Sequence, residues 1–260
     1  MRKLLAISML AVLAAGVPAV HATAAVVDLS SLNRVGSATM AGGALQLTTA
    51  DEHSAGAAWL DQAIGTGTSF SASFSFSMVG WSVRSRMADG IVLALQNRGN
   101  NVVGGIGADL GYANLNGSGA SAVGSVIQSW NNNRVGLSID GLPSSAKAAP
   151  FDLGGAYYVT GDQTVSYDAV THELKMTGTL YDHIHDTIYR VGDSATVDLA
   201  ARFGSQMYLG FTGATGVSYA DQRITSLAVT AVPEPETYAM LLAGLGMMGF
   251  VARRRSAARA

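Results

Sequence analysis

The densest group of polar side chains lies at residues 181–186, which read Tyr-Asp-His-Ile-His-Asp. If this segment is a strand, His183 and His185 point to the same face, where two imidazoles could bind a metal ion. The alternative is a hydrophilic hairpin between two strands that contain Leu180 and Tyr189. We favour the hairpin and keep the metal site as the alternative.

Other catalytic arrangements have little support in the sequence. Cysteine is absent, which excludes a disulfide scaffold, a thiolate metal site and a cysteine nucleophile. No Gly-x-Ser-x-Gly elbow occurs, and residues 104–107 (Gly-Gly-Ile-Gly) lack the strand-to-helix context of a nucleotide loop. The formal net charge of −2 gives no electrostatic footprint for nucleic acid. We therefore predict a protein that is not an enzyme and has no nucleic-acid partner.

Alternation of apolar and polar residues dominates the middle of the chain. At residues 70–78, the apolar residues Phe, Ala, Phe, Phe and Met interleave with serines, as in a strand with one buried face. The same pattern recurs around Leu137, Leu174 and Leu209. Turn signals occur at residues 140–141, 154–155, 161–162 and 168–171. No segment from 26 to 230 has apolar residues at helical spacing. These features predict a single all-β domain, an antiparallel sandwich.

The N-terminal end has the features of a secretory signal peptide, predicted at residues 1–24. Arg2 and Lys3 supply the positive charge, and an uncharged apolar run covers residues 4–20. Small residues that fit a cleavage site follow at once. The alternative is an N-terminal membrane helix that is retained.

The C-terminal end, residues 232–260, begins with Pro233, Glu234 and Pro235. Residues 238–252 are apolar and uncharged, and the basic residues Arg253, Arg254 and Arg255 follow. This stretch is shorter than the roughly 20 residues of a comfortable membrane span, and its arginines should stay in the cytoplasm.

The order of motif, apolar run and arginines resembles the PEP-CTERM sorting signal of Gram-negative bacteria. The resemblance implies a short transmembrane helix that is held transiently in the inner membrane. It also implies an exosortase-type sorting enzyme as partner, and a final location at the cell surface, outer envelope or extracellular matrix. The alternative is an ordinary tail anchor.

Four segments of the middle region resemble legume-type (L-type) lectins. They are the strands from residue 57 to 78, the Ala-Asp-Gly segment at 88–90 with its apolar strand, the glycine-rich loop at 104–112, and residues 208–216. Their order is that of the family. The resemblance implies a concanavalin A-like jelly-roll sandwich over residues 25–231, with a sugar site made by loops, and a possible homodimer.

The resemblance assigns a carbohydrate-binding role to individual residues. Asp89 matches the sugar-binding aspartate, which a non-proline cis peptide precedes in the family. Trp130 matches the stacking aromatic residue, and Asn132 the binding amide. Ala108 lies where the family has a glycine whose N–H meets the sugar. Val217 and Ser218 fall in the loop that sets specificity.

Members of this family hold calcium and a transition metal beside the sugar, but the ligand positions have changed here. Val126 stands at the position of a glutamate, Gln128 at that of an aspartate, and Arg134 at that of a histidine. Since cation sites need several anionic oxygens, we predict that the metal site is absent and that no cofactor is required. We also hypothesise that Arg134 pairs with Asp89 in place of calcium.

The combined prediction is an exported surface or extracellular-matrix protein that binds a glycan or exopolysaccharide without metal. The alternative is a structural biofilm or exopolysaccharide matrix protein that uses the lectin sandwich without a sugar site, because fold alone does not establish function.

Overall fold

The computed structural model describes residues 24–81, 86–115, 122–130 and 133–232, together with residues 244 and 248. The predicted signal peptide lies outside them apart from its last residue, and so do the Pro-Glu-Pro motif and the arginine cluster. Among the described residues, no helix combines the length and apolar character needed to cross a membrane.

Strands make up most of the described chain. In chain order they are β1 (Ala25–Val26), β2 (Asn33–Gly36), β3 (Thr39–Ala41), β4 (Ala44–Thr48), β5 (Ala55–Trp59), β6 (Ile64–Gly65), β7 (Ser69–Gly80), β8 (Gly90–Gln96), β9 (Val123–Gln128), β10 (Arg134–Ser138), β11 (Tyr158–Asp168), β12 (Glu173–Asp182), β13 (Thr187–Thr196), β14 (Gln206–Ala214) and β15 (Ala220–Val232). A short helix, α1 (Leu199–Phe203), connects β13 to β14.

The strands form two antiparallel sheets. The eight-stranded sheet has the order β13-β12-β11-β7-β15-β4-β3, with β1 beside β15. The seven-stranded sheet has the order β10-β9-β8-β14-β5-β2, with β6 beside β14. This architecture confirms the prediction of an all-β antiparallel sandwich.

Strand β7 shows how the alternating pattern forms the main core. Its apolar side chains, among them Phe70, Phe74 and Phe76, are buried, and the serines between them face outward. Phe74 packs edge-on against Phe211 of β14 at a centroid distance of 5.0 Å, which joins the two sheets. Burial of such side chains is worth roughly 1.5–3 kcal/mol each.

A second apolar cluster covers the other face of the seven-stranded sheet. Trp59, Val92 and Val126 lie on its strands, and loop residues such as Leu110 and Tyr112 pack over them. Strand β8 is therefore buried on both faces, which explains its continuous apolar run.

Trp59 links this cluster to the loop above it, because its indole Nε1 donates to the Val102 carbonyl at 2.8 Å and its side chain is fully buried. We expect Trp59→Phe to destabilise the protein by about 1–3 kcal/mol, since the buried carbonyl loses its donor. Urea unfolding measures the change. The control is Trp81→Phe, at a side chain that is 67% exposed, with an expected change within about 0.5 kcal/mol. Equal losses in both variants would contradict this role.

Two local predictions were wrong. Residues Gly161 and Asp162 are not a turn but lie inside β11, paired with β7 on one side and β12 on the other. Helix α1 forms where no helix was expected: Asp198 accepts from the Ala201 N–H at its start, and Leu199 and Phe203 are buried. Five residues are too few for helical periodicity to be visible in the sequence.

The polar segment 181–186 is the predicted hairpin between β12 and β13. Asp182 closes the turn by accepting from the backbone N–H groups of Ile184 and His185. The two histidines have different partners: His185 Nδ1 lies 2.6 Å from Asp182, and His183 Nε2 lies 2.9 Å from Thr160. Within the described ranges, no group of three or more His, Asp or Glu side chains is placed to hold a metal ion.

Candidate functional site

Asp89 lies at the start of the central strand β8, in a backbone bend that contains a cis peptide bond between Ala88 and Asp89. This is the bond that the lectin resemblance implied. Ser129 binds one side of the bend, because its backbone N–H donates to the Asp89 carbonyl at 2.7 Å and its hydroxyl donates to the Met87 carbonyl at 3.0 Å. On the other side, the Gln222 amide donates to the Ala88 carbonyl at 3.3 Å. The bend is therefore held by Ser129, which follows β9 of the same sheet, and by Gln222 of β15 in the other sheet.

The Asp89 side chain is 2% exposed, and its Oδ2 atom has no hydrogen-bond partner among the described residues. Burial raises the pKa of Asp89 to about 6, and the nearby Gly216 backbone N–H offsets only part of this effect. A buried carboxylate oxygen without a donor is costly. Asp89 Oδ2 is therefore a buried acceptor whose hydrogen-bonding capacity is not used by the described residues.

Two glycines form the space beside this carboxylate. A side chain at Gly216 would place its Cβ 3.3 Å from Asp89 Oδ2, and one at Gly107, whose φ is +62°, would lie 4.0 Å from the same atom. Their loops are joined, since the Gly107 N–H donates to the Thr215 carbonyl at 3.0 Å. The Thr215 hydroxyl in turn donates to the Asp51 carbonyl at 2.6 Å. The glycine loops thus lie directly over the Asp89 carboxylate and place no side chain against it.

The structure brings most of the predicted site residues to this end of the sandwich. Ala108 is exposed and follows Gly107 directly. In the loop that follows Gly216, Val217 is 73% exposed, and Ser218 is half-buried with its carbonyl accepting from the Gly216 N–H. Trp130 is half-buried, next to the Ser129 that binds Asp89. Asn132 lies outside the described residues, so its role remains a prediction.

Sequence reasoning missed an ion pair that supports two of these loops. Arg86 donates to both carboxylate oxygens of Asp152, at 2.8 and 2.5 Å, and the Asn133 amide donates to the same carboxylate at 2.9 Å. Arg86 precedes the Asp89 bend, and Asn133 follows Asn132. The guanidinium lowers the pKa of Asp152 to about 2. No local pattern indicates this contact, because Arg86 and Asp152 are far apart in the chain.

A pair of aromatic residues, the exposed Trp81 and the half-buried Tyr219, was also missed. Trp81 and Tyr219 meet edge to face with ring centroids 6.2 Å apart, and Tyr219 follows Ser218 directly. Their side-by-side placement depends on the pairing of β15 with β7. The only local signal was that Trp81 is an aromatic residue at a strand end.

The positions of the family's metal ligands do not fit a metal site. Val126 is fully buried in the second apolar cluster. Gln128 offers one neutral oxygen, and its amide nitrogen donates to the Ala108 carbonyl at 3.3 Å. Arg134 donates to the Ala146 carbonyl at 3.2 Å. These residues supply no anionic oxygen, which a calcium site requires.

The hypothesis that Arg134 pairs with Asp89 was wrong. No ion pair connects these two described residues, and Asp89 Oδ2 has no partner. The Arg134 guanidinium is directed instead to the backbone at Ala146, which bridges β10 to the next loop.

Comparison with known proteins agrees with this architecture. The profile of the legume lectin domain matches residues 27–238, most of the chain. The protein belongs to the legume lectin family. The profile of the PEP-CTERM protein-sorting motif matches residues 231–255, which indicates export and sorting to the cell envelope of a Gram-negative bacterium. No curated protein sequence matches this legume lectin.

Solved plant lectins share its fold. The lectin from Bauhinia forficata in complex with GalNAc is 22% identical, with a TM-score of 0.66 over 82% of this chain and 99% of the plant chain. Arcelin-5, a lectin-like defence protein from Phaseolus vulgaris, is 21% identical, with a TM-score of 0.65 over 78% of this chain and 93% of that chain. The metal-free form of lectin I-B4 from Griffonia simplicifolia is 20% identical, with a TM-score of 0.64 over 78% and 94% of the two chains. At these identities the likeness concerns the fold alone.

Proposed function

We propose that this legume lectin is a non-enzymatic surface or matrix protein that binds a glycan at the Asp89 loops without a metal ion. The observation that carries the proposal is the buried Asp89 carboxylate, whose Oδ2 lacks a hydrogen-bond partner in the described part of the chain and lies beside Gly107 and Gly216, which place no side chain against it. Sugars present adjacent hydroxyl groups, and a carboxylate is an acceptor for two of them.

Other residues complete the proposed site. The amide of Asn132 both donates and accepts, and Trp130 covers the apolar C–H face of the sugar ring. The Ala108 backbone N–H donates to a ring substituent, and the exposed Val217 and half-buried Ser218 contact the sugar from the specificity loop. With so few polar anchors in an open site, we expect monosaccharide dissociation constants on the order of millimolar.

The ion pair of Arg86 with Asp152 supports the metal-independent part of the proposal. It connects the segment before Asp89 to Asn133, the residue that follows Asn132 in the sequence. We expect Asp152→Ala to weaken glycan binding about tenfold, because both loops lose their common support. Calorimetric titration measures the loss. Asp168→Ala, at an exposed turn carboxylate of the other sheet, is the control, and equal binding by both variants would contradict the role of Asp152.

The proposal includes the two ends of the chain. Residues 1–24 are removed as a signal peptide, and residues 232–260 are held transiently in the inner membrane. An exosortase-type enzyme recognises Pro233, Glu234 and Pro235, and Arg253, Arg254 and Arg255 remain in the cytoplasm. Residues 25–231 are then the carbohydrate-binding domain, delivered to the cell surface or extracellular matrix.

The test is a glycan and exopolysaccharide screen on the full-length protein and on two variants. Asp89→Asn removes the acceptor charge, and Asp61→Asn makes the same change at an exposed residue. We expect the wild type and Asp61→Asn to bind the same glycans and Asp89→Asn to bind none of them at that site. Binding by Asp89→Asn at wild-type affinity to every glycan would refute the site.

The second candidate is a structural matrix protein without a sugar site. It is favoured by the burial of Val126 in apolar packing at a position where the family has a metal ligand. A wild-type protein that is folded but binds no glycan in the screen would support this function.

A further inference from the structure

A groove lies on the outer face of the eight-stranded sheet, on the opposite sheet from β8 and Asp89. Its volume is about 490 Å³, within the range of small-ligand sites. It crosses β15, β7, β11, β12 and β13, so its floor is rigid sheet and not loop. Among the residues that line it are Ser75, Ser77, Tyr158, Thr160, Asp162 and Tyr181.

Aromatic rings form one end of this groove. The Tyr158 ring stacks on His183 at a centroid distance of 3.9 Å and an interplanar angle of 10°, and Tyr181 lies 4.1 Å from the same imidazole. These rings are fixed in place, since His183 lies 2.9 Å from the Thr160 hydroxyl and the Tyr181 hydroxyl donates to Asp186 at 2.5 Å. Because the rings are already ordered, a ligand that stacks on them costs little conformational entropy.

Hydroxyl groups, one carboxylate and the exposed side chain of Ile188 are the main features of the rest of the groove. Asp162 is exposed and accepts from the Ser75 hydroxyl at 2.6 Å, and no cationic side chain of the described chain pairs with it. Thr160 and Ser77 project from neighbouring strands beside it. A carboxylate has about four acceptor positions, so Asp162 retains capacity for hydroxyl donors of a ligand.

Two backbone features shape the groove. The pairing of β15 with β7 slips between Ile224 and Ser226, and this bulge brings Thr225 into the lining. Such bulges redirect side chains near sites. In β11, Gly161 has no side chain, and a Cβ there would lie 2.8 Å from the Phe76 ring and 2.3 Å from the Thr179 carbonyl. The glycine therefore allows the strands and Phe76 to close tightly beneath the groove.

We propose that this groove is a second carbohydrate-binding site, which takes a segment of a neutral polysaccharide chain. Stacking rings suit the C–H faces of pyranoses, and the row of hydroxyls with Asp162 suits their hydroxyl groups. An anionic ligand is disfavoured, because the lining contains a carboxylate and no lysine or arginine. An apolar partner is disfavoured because the Asp162 carboxylate would lose water without gaining a donor from it.

The groove and the Asp89 loops belong to opposite sheets, so the two sites do not share residues. One protein molecule could then hold two polysaccharide segments at once. A second, tethered binding event gains from a high effective concentration. We expect wild-type protein to bind a long chain at least about tenfold more tightly than a variant with only one working site.

The experiment measures binding of full-length protein to soluble dextran, laminarin and galactomannan by affinity electrophoresis. In the Asp89→Asn background, the expected result is residual binding to at least one of these neutral polysaccharides. Adding Tyr158→Ala and Tyr181→Ala should weaken that binding at least about tenfold. A tenfold change in the dissociation constant corresponds to about 1.4 kcal/mol of binding free energy. Adding Tyr158→Phe instead should preserve it, because the ring remains.

A further variant, Asp162→Asn, keeps the shape of the groove and should weaken the residual binding several-fold. Thermal unfolding will show whether the alanine variants are folded. If they are not, Asp162→Asn still tests whether the groove binds the polysaccharide. Absence of binding in the Asp89→Asn background, or binding that neither the alanine pair nor Asp162→Asn reduces, would overturn the groove site. Loss of binding on Asp89→Asn alone would still support the Asp89 site, so the two proposals fail separately.

Discussion

Asp89→Asn is expected to abolish glycan binding at the Asp89 loops and to flatten the pH dependence of stability between pH 4 and 6. Burial raises the pKa of Asp89 to about 6 in the folded protein, above the ordinary value of about 3.9 in an unfolded chain. The folded protein therefore binds more protons than the unfolded chain in this range. The contribution of Asp89 to stability is therefore greatest below pH 4 and is lost as pH rises through about 6, by an amount on the order of 2–3 kcal/mol.

Urea unfolding at several pH values measures this effect, and Asp61→Asn, at an exposed side chain, is the control that should keep the wild-type profile. The charged form of Asp89 is the better acceptor, so glycan affinity should increase as pH rises through about 6. An Asp89→Asn protein with the wild-type pH profile would show that this carboxylate does not titrate as its burial indicates.

Gly90→Ala is expected to be the most destabilising single substitution near the site. The Gly90 φ is +153°, and a Cβ there would lie 2.1 Å from the Ile127 carbonyl oxygen and 2.9 Å from the Gln128 Cα. These are backbone atoms of the paired strand β9, so they cannot move aside without breaking the sheet. We expect Gly90→Ala to lower the free energy of unfolding by about 4 kcal/mol or more, or to prevent folding.

Gly99→Ala is the matched control for this prediction. The Gly99 φ is +100°, but no atom lies within 4 Å of the added Cβ. The control therefore has the unfavourable backbone angle without the steric clash. We expect it to lower the free energy of unfolding by about 1 kcal/mol. Thermal unfolding of both variants makes the comparison. A Gly90→Ala protein as stable as Gly99→Ala would mean that β8 and β9 are not as closely packed as described.

The parts of the fold that depend on local pattern were predictable. Strand β7 could be predicted because every second residue is apolar, and those residues are the buried ones. The Asp89 bend was predictable only through the resemblance to legume lectins, since Ala-Asp-Gly alone also describes an ordinary turn. The structure confirms the bend at that position.

Apart from the short helix α1, the errors share a physical cause, which is contact between distant segments. Gly161 and Asp162 look like a turn in isolation, but pairing with two neighbouring strands keeps them extended. Arg134 was expected to neutralise Asp89, but its guanidinium binds the Ala146 carbonyl. The support that Asp152 gives to Arg86 depends on loops that meet only in the folded sandwich. Such contacts leave no periodic signal in the sequence.

Metal-independent glycan binding at Asp89 is the central claim, and calorimetric titration with and without chelator tests it most directly. Full-length protein is titrated with a glycan identified in the screen, first in EDTA and then in excess Ca²⁺ and Mn²⁺. The prediction is an equal dissociation constant in both conditions, with binding lost in Asp89→Asn. Binding that disappears in EDTA and returns with the cations would contradict it, because Val126, Gln128 and Arg134 would then not be the positions that decide metal binding.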